Sequence, residues 1–213
     1  MTTRGDRLAI AAGPRDSEAF ELASAIASVI NANSSTTRVD VFETAGSSDN
    51  VRLLQQGKVD FATLQADTPV DETAAAVASL YHDAYQLIVN DSTGIISFNE
   101  LRGRRVAIPP EGSGQQDSFW FVLDHYGLER DDLTALPMSE AAANFAMTVG
   151  QVDAVFRVRA PGNPAIRELV RDHEMHLVPI PHANALALQQ PALGPGTVPA
   201  GAYRGSPALP VYD

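Results

Sequence analysis

The chain contains no cysteine among its 213 residues. Disulfide bridges, thiolate metal sites and a cysteine nucleophile are therefore excluded. Positive charge is also scarce, since 15 Lys and Arg stand against 26 Asp and Glu, for a formal net charge of −11 at pH 7. Without a basic stripe to replace phosphate counterions, no nucleic-acid partner is expected.

Long apolar runs are missing as well. No stretch approaches the roughly 18 to 20 residues of a membrane-spanning helix. The N-terminus, "MTTRGDRLAIAAG", passes from polar residues directly into a strand-like run and lacks the apolar segment of a signal peptide. Two alternatives follow: a cytosolic protein, or an exported one whose leader is absent from this sequence.

Strand and helix patterns alternate along most of the chain, which is typical of mainly parallel sheets flanked by helices. The hydrophobic content of 45% is enough to bury a real core. Predicted strands are "RLAIAAG", "RVDVFE", "VDFATLQ", "RRVAIPP", "LTALPM", "VDAVFRVRA" and "MHLVPI". Predicted helices are "SEAFELASAIASVINAN", "SSDNVRLLQQG", "SFNELRG", "SGQQDSFWFVLDHYG", "SEAAANFAMTVG" and "NPAIRELVRDH".

The pattern predicts two consecutive α/β lobes. In "AAAVASLYHDAYQLIVN", His82 and Asp83 interrupt the apolar residues, which indicates two strands joined by a hinge crossover near residues 82–85. We therefore expect lobe 1 at 1–82 and lobe 2 at 86–182. Residues 183–213 form a segment rich in proline and glycine, and we expect part of it to return to lobe 1.

Three strand-to-helix joints carry glycine and hydroxyl groups: "AGPRDSEAF" with Gly13 and Ser17, "TAGSSDN" with Ser47, and "PPEGSGQQ" with Ser113 and Gln115. A helix start offers unpaired backbone N–H groups, so each joint suits a small anion, although simple helix capping explains any single one. Ligands of open α/β sheets bind at the carboxyl ends of strands. Together the joints predict one ligand cleft between the lobes.

Other chemistry lacks a matching motif. "GSG" has neither the lysine nor the spacing of a P-loop, "GPRDSE" is no dinucleotide fingerprint, and no G-x-S-x-G elbow occurs. His173 and His176 have i, i+3 spacing, which without a third ligand is better explained by chance than by zinc. No metal, cofactor or catalytic residue is expected.

The strand "VDAVFRVRA" places Arg157 and Arg159 on one face, near its carboxyl end. Two explanations remain open for these guanidinium groups. They could hold a ligand carboxylate through paired hydrogen bonds, or they could form an internal ion pair with Asp or Glu.

The stretch "ETAGSSDNVRLLQQGKVDFATLQAD" resembles the TAXI family of solute-binding proteins from TRAP transporters, which have the type II periplasmic-binding-protein fold. "ASLYHDAYQLIVN", "FNELRGRRVAIPPEGSG" and "VDAVFRVRAPGNPAIREL" extend the resemblance over about residues 8–182. Carried over to this sequence, it implies ligand contacts from Gly13, Ser47, Asn50, Gln65, Tyr81, Ser113 and Gly114. "GPRDSEAF" and the two arginines depart from the family pattern and leave the ligand class open.

The resemblance implies an extracytoplasmic protein that captures a small organic acid or amino-acid-like solute and presents it to membrane transporter subunits. A ligand-sensing domain, with or without a membrane anchor in a longer protein, is the alternative. An enzyme on a two-lobe scaffold is less favoured, because no acid/base pair or nucleophile motif occurs.

Family members are longer than this chain, so the resemblance also implies truncation at the C-terminus. Lobe 1 would then lack a strand and leave an open sheet edge. Open edges invite pairing, so we expect self-association through it.

Overall fold

A computed structural model describes residues 6–172, 174–199 and 201–203. The chain divides into two compact units. The first extends to Ser79 and also takes in Glu111–Gly114, while the second comprises Leu80–Pro110 and the residues from Gln115 onward. The assignment of Glu111–Gly114 to the first unit was not anticipated from the sequence, where this segment simply joins a strand to a helix of the second half.

The first unit is built on a three-stranded parallel sheet with the strand order β2-β1-β3. Ser17 begins α1 because its hydroxyl accepts a hydrogen bond from the amide of Phe20. The alanines Ala23 and Ala27 are buried and let the helix approach the sheet closely. The elements are β1 (Asp6–Ala11), α1 (Glu18–Asn33), β2 (Thr37–Phe42), α2 (Ser47–Gln55) and β3 (Phe61–Ala62).

The second unit has a five-stranded mixed sheet with the strand order β6-β5-β7-β4-β8. Strand β5 runs parallel to β6 and β7, whereas β4 is antiparallel to β7 and β8. The strands are β4 (Ala84–Asn90), β5 (Arg105–Ile108), β6 (Thr134–Pro137), β7 (Ala154–Arg159) and β8 (Met175–Val178). The α-helices are α3 (Gly114–His125), α4 (Glu140–Thr148), α5 (Pro164–Asp172) and α6 (Ala183–Gln189).

Strand β7 is buried along its whole length and separates two hydrophobic clusters. Phe156 and Val158 belong to one cluster, and Val155 belongs to the other. Because side chains alternate across a strand, Arg157 and Arg159 lie on the same face as Val155. Two arginines therefore share a buried face with apolar residues, and such charges require polar partners.

Two strand predictions differ from the structure. Only Phe61–Ala62 of "VDFATLQ" forms a strand, and residues 74–83 form no helix or strand, so the long apolar run contributes one strand, β4, instead of two. Val77 is 79% exposed. A strand at this position would need a partner and a buried face, and the apolar composition alone supplies neither.

The tail also differs from the expectation. Residues 183–189 form helix α6, whose Leu186 is buried. Tyr203 is 3% exposed and packs in the cluster of the second unit that includes Val155, with Val198 and Ala202 against it. The described part of the tail thus packs in the second unit, because Tyr203 finds a buried apolar site there. Residues 204–213 lie outside the described residues.

Candidate functional site

The joint after β1 is held by backbone and side-chain hydrogen bonds. Gly13 has a φ of +87°, its amide donates to Oγ1 of Thr44 at 2.8 Å, and its carbonyl accepts from the amide of Thr44 at 3.1 Å. Ser17 is buried, and its hydroxyl donates to the carbonyl of Pro14 at 2.7 Å. Both predicted ligand residues therefore have structural roles at the start of α1.

The joint before α2 is tied to the end of β3. Gly46 has a φ of +133°, and the hydroxyl of Ser47 accepts a hydrogen bond from the amide of Gln65 at 3.1 Å. Asn50 is 1% exposed and donates from Nδ2 to the carbonyl of Thr63 at 2.8 Å, while its Oδ1 accepts from the hydroxyl of Thr44. The amide of Asn50 thus connects α2 with the ends of two strands.

Residues Glu111–Gly114 pack directly on this joint within the first unit. A Cβ atom added to Gly46 would lie 3.1 Å from Cα of Ser113. One added to Gly114 would lie 2.6 Å from Oε1 of Gln65 and 2.8 Å from Cβ of Ser47. Only glycine fits at position 114 without displacing its neighbours. We call Gly46, Ser47, Gln65, Ser113 and Gly114 the glycine seat.

The glycine seat contains a polar atom whose hydrogen bond is missing. Oε1 of Gln65 is buried and has no hydrogen-bond partner among the described residues. An unpaired buried acceptor costs about 1–3 kcal/mol, so a hydrogen-bond donor supplied from outside the chain would be favoured here. The three predicted joints also come together, because a Cβ on Gly13 would lie 3.9 Å from Cα of Gly46.

Two other predicted residues belong to the second unit. Tyr81 is 37% exposed and lies in the irregular segment before β4. Gln115 lies in α3, where its Oε1 accepts a hydrogen bond from the amide of Val158 at 3.3 Å. Gln115 therefore links α3 to β7 within the second unit.

The guanidinium groups of β7 face a carboxylate of the protein itself. Nη2 of Arg159 lies 2.5 Å from Oε2 of Glu140, and Nε of Arg157 lies 4.0 Å from the same oxygen. Arg157 also donates to the carbonyl of Glu140 and to Oδ1 of Asn144. The internal ion pair, one of the two alternatives left open by the sequence, is the arrangement that the structure contains.

Glu140 and Thr44 were not anticipated as partners in these networks. From the sequence, Glu140 could be recognised only as an acidic residue in the first turn of a helix, directly after the N-cap Ser139. Nothing in the sequence indicates that this carboxylate meets Arg159, 19 positions away.

The histidine pair gives no support for a metal site. His176 has its Nδ1 2.5 Å from Oδ1 of Asp91 and its Nε2 3.1 Å from the carbonyl of Ile95. His173 lies outside the described residues. Within the part of the chain that the structure describes, no group of three or more His, Cys, Asp or Glu side chains is arranged to hold a metal ion.

None of the described helices combines the length and apolar character needed to cross a bilayer.

Solved structures share the fold of this chain. The alkanesulfonate-binding protein SsuA from Xanthomonas axonopodis pv. citri, bound to MOPS, matches with a TM-score of 0.57 and 22% identity, over 82% of this chain and 61% of that chain. The substrate-binding protein AbpA from Streptococcus pneumoniae, an amino acid ABC transporter protein bound to L-arginine, matches with a TM-score of 0.53 and 19% identity, over 81% and 74%. The effector binding domain of QuiR, in complex with shikimate, matches with a TM-score of 0.58 and 8% identity, over 82% and 80%.

These matches confirm the predicted α/β fold of periplasmic binding proteins. The chain spans 61% of the Xanthomonas SsuA and 56% of the aliphatic sulphonate binding protein SsuA from Escherichia coli. A family model described as NMT1-like matches residues 10–211. Because this match covers nearly the whole sequence, the chain belongs to the NMT1-like family.

Proposed function

We propose that this protein is an extracytoplasmic solute-binding protein of the TAXI type, which delivers a small carboxylate-bearing solute to the membrane subunits of a TRAP-type transporter. The family match and the fold shared with solute-binding proteins support the general function. The resemblance over "ETAGSSDNVRLLQQGKVDFATLQAD" favours the TRAP type over the ABC type named for AbpA. A periplasmic location follows from this function.

The observation that carries the proposal is the unpaired Oε1 of Gln65 in the glycine seat. A solute that donates a hydrogen bond there, through an amino or hydroxyl group, would remove the cost of the buried acceptor. The start of α2 at Ser47 favours a negative group nearby through the positive end of the helix dipole. A solute with one carboxylate and an adjacent amino or hydroxyl group matches both requirements.

A ligand-sensing domain is the second candidate, and the match to the effector binding domain of QuiR favours it, because the same fold serves there in complex with shikimate. Solute binding is common to both candidates, so the glycine seat does not separate them. Binding of the closed, solute-loaded protein to TRAP membrane subunits would support transport. An enzyme is the least supported candidate function, because the glycine seat contains neither an acid paired with a base nor a nucleophile paired with a base.

A thermal-shift screen tests the proposal. The panel contains amino acids, hydroxy acids, simple monocarboxylates, dicarboxylates and alkanesulfonates. A true solute at 100 times its Kd adds about 2.7 kcal/mol to the free energy of unfolding, and we expect this from an amino or hydroxy acid. Failure of every panel member to raise Tm would contradict the proposed solute class.

Gly114→Ala tests the position of the site. Its Cβ would lie 2.6 Å from Oε1 of Gln65, so the variant should lose solute binding. Gly194→Ala is the matched control, because a Cβ there meets nothing within 4 Å and neither glycine has a positive φ. If Gly114→Ala binds the solute as tightly as Gly194→Ala does, the glycine seat is not the binding site.

A further inference from the structure

Helix α4 begins beside the carboxyl end of β7 and brings Glu140 to the two arginines. Arg157 is 3% exposed and Arg159 is 8% exposed, so both guanidinium groups are nearly removed from water. Guanidinium groups at this depth need charged or polar partners, because they do not lose their protons in proteins. The carboxylate of Glu140 supplies that partner for Arg159.

Backbone hydrogen bonds orient the two guanidinium groups toward one position for a carboxylate, which we call the arginine site. Nη1 of Arg159 donates to the carbonyl of Val158 at 3.0 Å, which orients the guanidinium so that Nη2 points to Glu140. Nη1 of Arg157 donates in the same way to the carbonyl of Phe156 at 3.0 Å. Gln86 on the neighbouring strand donates to the carbonyl of Arg159 at 2.8 Å and anchors the end of β7.

Glu140 reaches the arginine site from α4 of the second unit, and its side chain is 15% exposed. The arginine site therefore lies at the edge of the core, where a small anion from solution could reach it once the side chain of Glu140 is shortened. Asn144, one helical turn after Glu140, offers a further polar group beside Arg157.

We propose that Arg157 and Arg159 form a carboxylate-binding site that Glu140 occupies in this chain, so that Glu140 is a specificity-determining residue that excludes acidic solutes from the end of β7. The excluded ligands are small carboxylates. This inference rests on the proposed solute-binding function in one respect only, because it requires the carboxylate of the natural solute to bind elsewhere in the protein. The site itself is a property of the second unit and can be tested without the natural solute.

Chemical rescue of Glu140→Ala provides the test. The substitution removes a carboxylate and the methylenes that carry it, and acetate has about the volume and charge that are lost. We expect acetate to raise the Tm of Glu140→Ala saturably by about 3 °C or more above an equal concentration of sodium chloride. Acetamide, which has the same shape without the charge, should give less than a third of that rise.

Three comparisons control the experiment. The Tm of wild type should respond equally to acetate and chloride, because Glu140 already occupies the arginine site. Glu43→Ala removes the partner of Arg15 from an exposed ion pair, with side-chain exposures of 71% for Arg15 and 50% for Glu43, and should show no saturable rise. The double variant Glu140→Ala, Arg159→Met removes both charges and should likewise show none.

The proposal is overturned if acetate and acetamide rescue Glu140→Ala equally, or if acetate stabilises wild type as much as the variant. If Glu140→Ala does not yield folded protein, Glu140→Ser replaces it, because serine also removes the carboxylate while its hydroxyl leaves a polar group near the arginines. A saturable acetate response of Glu140→Ser that is absent from wild type supports the proposal, and no response overturns it. Rescue by acetate in a protein that binds no panel solute would contradict the proposed function and leave this site intact.

Discussion

Arg105 holds the carboxylate of Asp153 with three hydrogen bonds. Its backbone amide and Nε donate to Oδ2 at 2.8 and 3.1 Å, and Nη2 donates to Oδ1 at 2.6 Å. The amide of Asp153 in turn donates to the carbonyl of Arg105 at 2.8 Å. The pair therefore aligns the start of β5 with the residue just before β7, the strand that carries Arg157 and Arg159.

This pair predicts an acid-dependent stability. The side-chain hydrogen bond from Arg105 lowers the pKa of Asp153, against a smaller opposing effect of burial. A carboxyl group with a depressed folded-state pKa stabilises the protein above its unfolded pKa of about 3.9, and the contribution is lost as pH falls through the folded-state pKa.

Asp153→Asn should therefore lower Tm by about 2 to 4 °C at pH 7, since Arg105 is half exposed and solvent screens the pair. The difference from wild type should shrink as pH falls below about 4. Differential scanning calorimetry across this range measures it, with Asp124→Asn, at an exposed carboxylate of α3, as the control. A Tm difference that stays constant down to the lowest pH would refute the assigned role.

Asn50 should matter for stability whether or not it contacts a solute. Asn50→Ala removes a buried donor and leaves the partly buried carbonyl of Thr63 without it, which should cost about 2 kcal/mol of unfolding free energy. Asn33→Ala also removes a hydrogen bond, from Nδ2 to the carbonyl of Val29, but at an exposed position, and should cost less than about 0.5 kcal/mol. Urea unfolding measures both. Equal losses for the two variants would show that burial of Asn50 does not decide its contribution.

Tyr203 should anchor the tail to the second unit. Its hydroxyl donates to Oε1 of Gln86, which is 2% exposed. Tyr203→Phe leaves that oxygen without this donor and should destabilise the protein by about 1–2 kcal/mol, with faster proteolysis of residues 190–199. If Tyr203→Phe is cleaved at the wild-type rate, the tail is held by its other contacts.

Self-association is expected through the first unit's sheet. Strand β3 stands at the end of the strand order in the described residues, and its Phe61 is 40% exposed. Light scattering should show an apparent mass that rises with protein concentration, and Phe61→Lys should reduce the rise, because a charge disfavours edge pairing. Lys58→Ala, which removes a charge from an exposed position, is not expected to reduce it. A constant monomer mass across concentrations would contradict the open-edge prediction.

Local patterns were sufficient for most of the elements. Helix α1 could be placed because Ser17 is a capping residue followed by periodic apolar positions, and β7 because its alternation is strong. The same alternation correctly placed Arg157 and Arg159 on one face. The apolar run at 74–83 misled the strand assignment, since composition does not reveal whether a segment has a partner strand.

By itself, the sequence determined the fold class, the starts of α1 to α5 and the residue types available for binding, because these depend on periodicity and capping within a few residues. Tertiary structure alone decided which polar groups meet. Whether Arg159 faces a solute or Glu140 depends on how α4 lies against β7. Whether Oε1 of Gln65 has a hydrogen-bond partner depends on how closely Gly114 approaches it. Such contacts join residues far apart in the chain, and the burial that makes them energetically important exists only after the chain has folded.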